Sequence, residues 1–445
     1  MTQDIRALSL VDLAAAYRSG SLRPSDVTQA YLGATEVGPV YRIIMAERAL
    51  AQAKRADDLF DRGVDIGPLQ GIPIALKDLM DTTGEVTAAG SSARLDLPPA
   101  DQDCPAAARL DAAGAVFLGK TTMTELAFSG IGINPHFGTP GCVFDASRVP
   151  GGSSSGSAVA VASQLACAAI GSDTGGSVRI PASFNGLVGL KTTDGDIPTD
   201  GCVALSTTLD TLGPIARNSE DAFHLWRALA GKDHAEFVPT SLAGQRFLAP
   251  TTVFQADLDP EVATAFERAC ARLRDLGATI DVAELPLLDE ISALYQTYGS
   301  FAAHEALVIH EQLLEERLEH LDPRVSARIL RHRDARASDY LKLVYGRQRI
   351  RREFDRATQP YDALLAPTVA ILPPHIASLA DDDAYFRANA ACLRNTTLFN
   401  VLGQPAVSVP CATSRDGLSI GLMIATRAHS DSFTLALAHA VETSL

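Results

Sequence analysis

Short strand-period runs alternate with helix-length amphipathic runs along this chain, and no other feature limits its fold as strongly. GIPIALKD (Gly71–Asp78) puts Ile72, Ile74 and Leu76 on one face and turns Lys77 to the other. Cys104 to Ala113 reads as a helix stopped by Gly114, and AVFLG (Ala115–Gly119) follows as a strand. Ala158–Ala169 reads as a small-residue helix running into a strand that ends near GSDTGGS (Gly171–Ser177). Farther on, Asp259–Pro260 caps a helix with Val262, Phe266, Ala269, Leu273 and Leu276 on one side. Gly277 ends that helix, and ATIDV (Ala278–Val282) returns as a strand. Strands and helices in this order predict an α/β protein with a substantially parallel sheet. Before them, Ser9 with Asp12 starts a short helix with Leu10, Leu13, Ala14 and Tyr17 on its apolar face, and a second begins near Pro24.

Composition narrows the partners. A formal net charge of −15 disfavours nonspecific binding to nucleic acid or anionic membrane. Lys and Arg concentrate between Arg317 and Arg356, alternating with acids as on a solvated helical face. Leu307, Leu314, Leu318 and Leu321 are expected to line a helix in a helical cover over about 300–356. Seven scattered cysteines form no CxxC pair and no metal-ligand spacing with histidine, which suits reduced thiols in a cytoplasmic protein. MTQDIRALSL has no basic stretch followed by an apolar core, and no window offers the ~20 apolar residues of a membrane span. No repeat or linker divides the chain, so residues 1–445 are expected to form one domain, and no cofactor or metal is expected.

Two glycine–serine turns carry the chemistry. GGSSSGSA (Gly151–Ala158) lacks the lysine of a phosphate-binding Walker loop and the Rossmann glycine spacing, and it runs directly into a helix. DTGGS (Asp173–Ser177) lies where a strand should end, the usual place for ligands in open α/β sheets. Its consecutive glycines leave backbone N–H groups free to stabilise an oxyanion. Ser177 is then a candidate nucleophile, but a serine hydroxyl needs a base. None of the ten histidines sits in a G-x-S-x-G or triad context. Lys77 is the remaining candidate, because burial would push a lysine towards neutrality. Taken alone, it reads equally as an exposed lysine paired with a surface acid.

Taken together, these segments resemble the amidase signature family. The resemblance rests on GPLQGIPIALKDLMDT (67–82), GKTTMTELAFSGIGINPHFGTP (119–140), GGSSSGSA, GSDTGGSVRIPASFNGLVGLKTT (171–193) and TLDTLGPIARNSEDA (208–222). LLAPT (364–368) and FNVLGQPAVSVP (399–410) extend it towards the C-terminus. Ser153 and Ser177 lie 24 residues apart, the family spacing. The resemblance implies an α/β/α sandwich with a large mixed, mostly parallel central sheet covered by helices, its motif core at about 70–215.

It also implies a Ser–Ser–Lys triad. Ser177 attacks the carbonyl, Ser153 (on a cis peptide after Gly152) relays the proton, and Lys77 accepts it. The N–H groups of Thr174, Gly175, Gly176 and Ser177 form the oxyanion hole, with Ser154, Asp173 and Arg179 in support. Ala127, Phe128 and Ser129 would line the acyl pocket, although Phe128 reads equally as ordinary core. The implied activity is hydrolysis of a linear, small-molecule amide or urea-like amide by a chain compatible with a homodimer. The alternative is the glutaminase component of a tRNA-dependent amidotransferase. The sequence departs from the family pattern at Ser155, at Thr192 and Asp196 in KTTDGD, and at Ser419 and Met423 in DGLSIGLM. These changes are expected to border the substrate side.

Overall fold

The computed structural model describes residues 4–232 and 234–445. Its frame is one sheet of eleven strands: β1 (Tyr41–Ile44), β2 (Pro73–Lys77), β3 (Val116–Thr121), β4 (Ala168–Asp173), β5 (Val188–Lys191) and β6 (Thr211–Ala216), then β7 (Arg246–Pro250), β8 (Thr279–Ala283), β9 (Ala363–Pro367), β10 (Ala406–Thr413) and β11 (Ser419–Ala425). Their order across the sheet is β1-β3-β2-β4-β6-β5-β10-β11-β9-β7-β8. The α/β class and the large mixed sheet are as expected, but parallel pairing is not dominant. Among the described residues four strand pairs are parallel, β2–β3, β2–β4, β7–β8 and β7–β9. The other six are antiparallel, including the central run β4–β6–β5–β10–β11–β9. Only connections that cross back through a helix yield parallel neighbours, and those lie on the two flanks.

Several sequence expectations hold at residue level. Ser9 caps the helix Leu10–Arg18 by accepting from the Asp12 N–H, and Asp259 caps the helix Pro260–Asp275 from its own side chain. β2 is buried on both faces, because helices cover both sides of the sheet at this point. The small-residue helix is Ser155–Ala162, beginning and ending earlier than expected, and Ala168–Ala169 already belong to β4. Its composition follows from close packing. A Cβ on Gly156 would stand 2.5 Å from the Val40 carbonyl oxygen and 2.6 Å from that of Thr122. Gln164, left-handed at φ 57°, turns the chain out of that helix towards β4.

The stretch 300–356 is predominantly helical, with segments Phe301–Ile309, Glu311–Glu316, Pro323–Leu330 and Ala337–Ala357. The four leucines expected on one helix are spread over separate elements, and Leu318 is exposed. Nor is the basic run a uniformly solvated face. Arg347 is held by Asp194, and Arg328 turns inward. Among the described residues no helix is long and apolar enough to cross a membrane.

Sheet packing leaves no room for side chains at certain glycines. A Cβ on Gly213 of β6 would stand 1.8 Å from the Leu190 carbonyl oxygen of β5. Gly213→Ala is therefore expected to force the two strands apart and to cost about 1–3 kcal/mol or more. A lowered thermal unfolding midpoint would register the loss.

Candidate active site

β2 and β4 are parallel neighbours, so their carboxyl ends lie side by side. β2 ends in Lys77, and β4 ends in Ser172 and Asp173 and feeds directly into the turn 174–177. The loop 151–154 comes in against the same end. The Ser154 N–H donates to the Ser177 carbonyl at 3.1 Å, joining the two serine-bearing segments. The Gly152–Ser153 peptide is cis.

Lys77 is fully buried, so the surface reading falls. Its ammonium nitrogen donates to Ser153 Oγ at 2.7 Å and to Ser172 Oγ at 2.8 Å, with the Ser172 carbonyl at 3.5 Å. All three acceptors are neutral. Burial pushes Lys77 down to about 7, although the Asp210 and Asp173 charges resist the fall. A lysine at that value shifts between base and acid near neutral pH, which general acid–base chemistry requires.

The turn 174–177 is held by Asp173. Its carboxylate accepts from the Gly176 N–H at 2.8 Å, the Val178 N–H at 3.1 Å and the Arg179 N–H at 3.4 Å. It also accepts from Arg179 Nε at 3.0 Å, Arg179 Nη2 at 2.8 Å and Asn400 Nδ2 at 2.9 Å. Burial would raise this carboxyl, but the Arg179 charge and these hydrogen bonds hold it well below the usual carboxylate range. The long helix Asp382–Leu402 braces the turn from the other side. Thr396 and Thr397 hydroxyls donate to the Gly175 carbonyl at 2.6 and 3.1 Å. Gly176 sits at φ +133°, and a Cβ there would meet Thr396 Oγ1 at 2.1 Å, so only glycine fits.

One expected oxyanion donor is corrected by this geometry. The Gly176 N–H is turned back onto Asp173 and is not free. The N–H groups of Thr174, Gly175 and Ser177 have no acceptor among the described residues, and all three residues line a cavity of about 220 Å³. The Ser177 hydroxyl likewise makes no hydrogen bond among the described residues, so its link to Ser153 is not made in this geometry. Catalytic hydrogen bonds often tighten only around substrate.

Ala127, Phe128 and Ser129 line the same cavity, together with Leu205, Leu209, Tyr295, Leu393 and Arg328. Left-handed backbone at Leu126 (φ 49°) and Ala127 (φ 58°) shapes this wall. The Ser129 hydroxyl is engaged in structure, donating to Asn389 at 3.0 Å and accepting from Tyr385 at 2.8 Å. Ser154 supports the site as expected in kind, its hydroxyl donating to the Ser172 carbonyl at 3.3 Å.

Sequence reasoning missed Ser172, Asp210 and Arg328. The register of β2 on β4 alone brings Ser172 to Lys77. Asp210, inside the TLDTLGP segment, accepts from Thr174 Oγ1 at 2.5 Å and is raised by burial to about 6. Arg328 did leave a signal, since it shares the apolar face of its helix with Val325 and Ile329. The departures from the family pattern do not border the cavity. Asp196 pairs with Lys232 at 2.5 Å and accepts from Trp226 Nε1 at 2.8 Å, and Met423 lies behind Arg179, 3.3 Å from Nη1. Ser155 begins its helix with a buried hydroxyl that has no partner among the described residues. Nothing in the structure explains it.

Asp173→Ala would strand the Arg179 guanidinium and free the turn, and a stability loss of about 3–5 kcal/mol is expected. The folded-state value is depressed, so this stabilisation is present above the unfolded carboxyl value near 4 and lost as pH falls through the folded one. Thermal melts of wild type and variant should accordingly converge in strong acid and diverge at neutral pH.

Comparisons with known proteins agree with this constellation. The Amidase family model matches residues 26–435. The chain is 35% identical to 2-amino-5-chloromuconic acid deaminase of Comamonas testosteroni over 90% of this chain and 87% of that protein. It is 34% identical to the first subunit of the glutamyl-tRNA(Gln) amidotransferase of Koribacter versatilis over 91% of each. A crystal structure of an amidase superposes with a TM-score of 0.89 at 32% identity, covering 98% of this chain and 100% of the other. A 6-aminohexanoate cyclic dimer hydrolase complexed with substrate gives 0.88 at 26% identity, covering 99% and 98%. The chain belongs to the amidase signature family, a hydrolase of carbon–nitrogen bonds other than peptide bonds.

Proposed function

We propose that this chain hydrolyses the C–N bond of a small-molecule amide through an acyl-enzyme on Ser177, with Ser153 as proton relay and Lys77 as base. The observation that carries the reading is the buried Lys77, poised near neutrality and hydrogen-bonded to Ser153 directly beneath the Ser177 turn. In the first step Ser177 Oγ bonds to the amide carbon while its proton passes to Ser153 Oγ and the Ser153 proton passes to Lys77. The N–H groups of Thr174, Gly175 and Ser177 receive the negative charge forming on the carbonyl oxygen. As the C–N bond breaks, the proton returns along the same path to the leaving nitrogen. Water then attacks the acyl-enzyme, and the relay runs again to release the acid and restore Ser177.

Asp173 and Arg179 act by holding the turn, and Asp210 by fixing Thr174. Thr396 and Thr397 complete the brace by gripping the Gly175 carbonyl. The similarity to amidotransferase components, at identities close to that of the deaminase, supports a second reading in which the amide is glutamine and the ammonia passes to a partner protein. Full turnover of simple amides by the isolated chain favours the first reading. Glutaminase activity that appears only with a co-purified partner favours the second.

A fluorophosphonate probe should label wild type and leave Ser177→Ala unlabelled; an unlabelled wild type would overturn the acyl-enzyme reading. Ammonia release from a panel of small amides, ureas and aryl-acyl amides then identifies the preferred class.

The base must be neutral to act, so kcat/KM should rise with pH through about 7 and level off above it. Lys77→Ala should lose about 10²–10⁴-fold below neutrality and recover part of the loss in alkaline buffer, where hydroxide substitutes for the base. An equal loss at every pH would show that Lys77 is not the base.

A further inference from the structure

We propose that Arg328 makes the catalytic cavity a carboxylate-recognising one, so that the amide hydrolysed at Ser177 carries a carboxylate elsewhere in the same small molecule. The proposal rests on the amidase reading for its reaction but on separate residues for its specificity.

Arg328 enters the cavity from the helix Pro323–Leu330, on the face it shares with the buried Val325 and Ile329. Among the described residues it is the one charged side chain lining a cavity whose other walls are apolar or neutral, Leu205, Leu209 and Leu393 included. Other enclosed cations of this chain have their own carboxylates. Arg42 and Lys120 share Asp78, Arg179 has Asp173, and Arg347 has Asp194. Arg328 has no carboxylate within 4.0 Å among the described residues, the limit by which those pairs are recognised.

Its contacts within the chain are of a different kind. Nη1 donates to the Phe128 carbonyl, and the guanidinium carbon lies 4.1 Å from the centroid of the Phe128 ring. A guanidinium carries five N–H donors. One is used, and no acceptor for the others occurs among the described residues. Stacking on an aromatic face holds the guanidinium plane and leaves its edges open, and a guanidinium edge matches a carboxylate in two parallel hydrogen bonds.

The charge itself is secure. Burial pushes Arg328 down to about 10, still well above neutral pH, so the group remains cationic while substrate binds. An unpaired cation beside apolar walls is costly for the empty protein, and an anionic ligand removes that cost. A neutral amide would leave the guanidinium edge unpaired. A substrate of the same shape bearing a carboxylate would pair it, which discriminates strongly because the polar group is already desolvated.

The test uses matched pairs. Succinamate is compared with its neutral isostere 4-oxopentanamide, and the series is extended to glutaramate and to N-acetylglycine so that the carboxylate is carried on either side of the scissile bond. Wild type should prefer the best anionic member over its neutral isostere by on the order of 100-fold in kcat/KM. In Arg328→Gln that ratio should collapse towards one, whatever loss both substrates share, and Arg328→Lys should keep part of it. An unchanged ratio in Arg328→Gln, or a wild type without anion preference across the series, overturns the proposal.

A second measurement separates the subsite from the chemistry. Calorimetric titration of the same amides into Ser177→Ala should show tighter binding of the anionic member. Adding Arg328→Gln should raise its Kd on the order of 100-fold while moving the Kd of the neutral isostere far less. Equal shifts for both would mean that Arg328 merely holds the Phe128 loop, and would overturn the subsite even if the enzyme is an active amidase. Anion-selective binding by a protein that takes no fluorophosphonate label would support the subsite while removing the reaction.

Discussion

The site depends on one buried carboxylate. Asp173 closes β4 and takes hydrogen bonds from three backbone N–H groups, from two nitrogens of Arg179 and from Asn400. Each bond constrains a different part of the turn that follows. The backbone bonds bend residues 174–178 back over the strand end, and the Arg179 pair anchors the helix after the turn. Asn400, which also donates to the Asp173 carbonyl at 3.0 Å, ties the turn to the long helix Asp382–Leu402. An ion pair with both partners at zero exposure survives only when its remaining lone pairs and protons are satisfied, and here they are. The Gly176 N–H is used in this bracing, and the three neighbouring N–H groups are left facing the cavity.

Lys77 shows the opposite use of burial. It sits among hydroxyls and a carbonyl with no carboxylate in contact among the described residues, so desolvation is only partly opposed and the group is brought near neutrality. Arg179 and Lys77 are both fully buried cations within one strand end of each other. The first is paired and structural, and the second is unpaired and reactive. The difference lies in which acid each one meets.

Much of this was legible in the chain. The Ser9 and Asp259 caps, the Gly114 and Gly277 stops and the strand period around Lys77 are local signals, and the structure reproduces them. The two glycine–serine turns marked the site because glycine at such positions has few other uses; Gly176 has no room for a side chain. Strand direction was not legible. An antiparallel and a parallel neighbour have the same local sequence pattern, so the six antiparallel pairings emerged only from the assembled sheet. The helical cover was misread in the same way, because Arg328 looks like any other member of a charged run until its neighbours are in place.

The sequence by itself determined which groups the site would contain: a lysine at a strand end, two serines on glycine-rich turns, and an acid before the second turn. Those are fixed by local backbone requirements, which a short window of residues expresses fully. Tertiary structure alone decided their electrostatic state and their neighbours. It buried Lys77, set Ser172 beside it, withdrew the Gly176 N–H and turned Arg328 into the cavity. Burial and pairing are properties of segments up to hundreds of residues apart meeting in a medium of low polarity, and no local stretch of chain encodes that meeting.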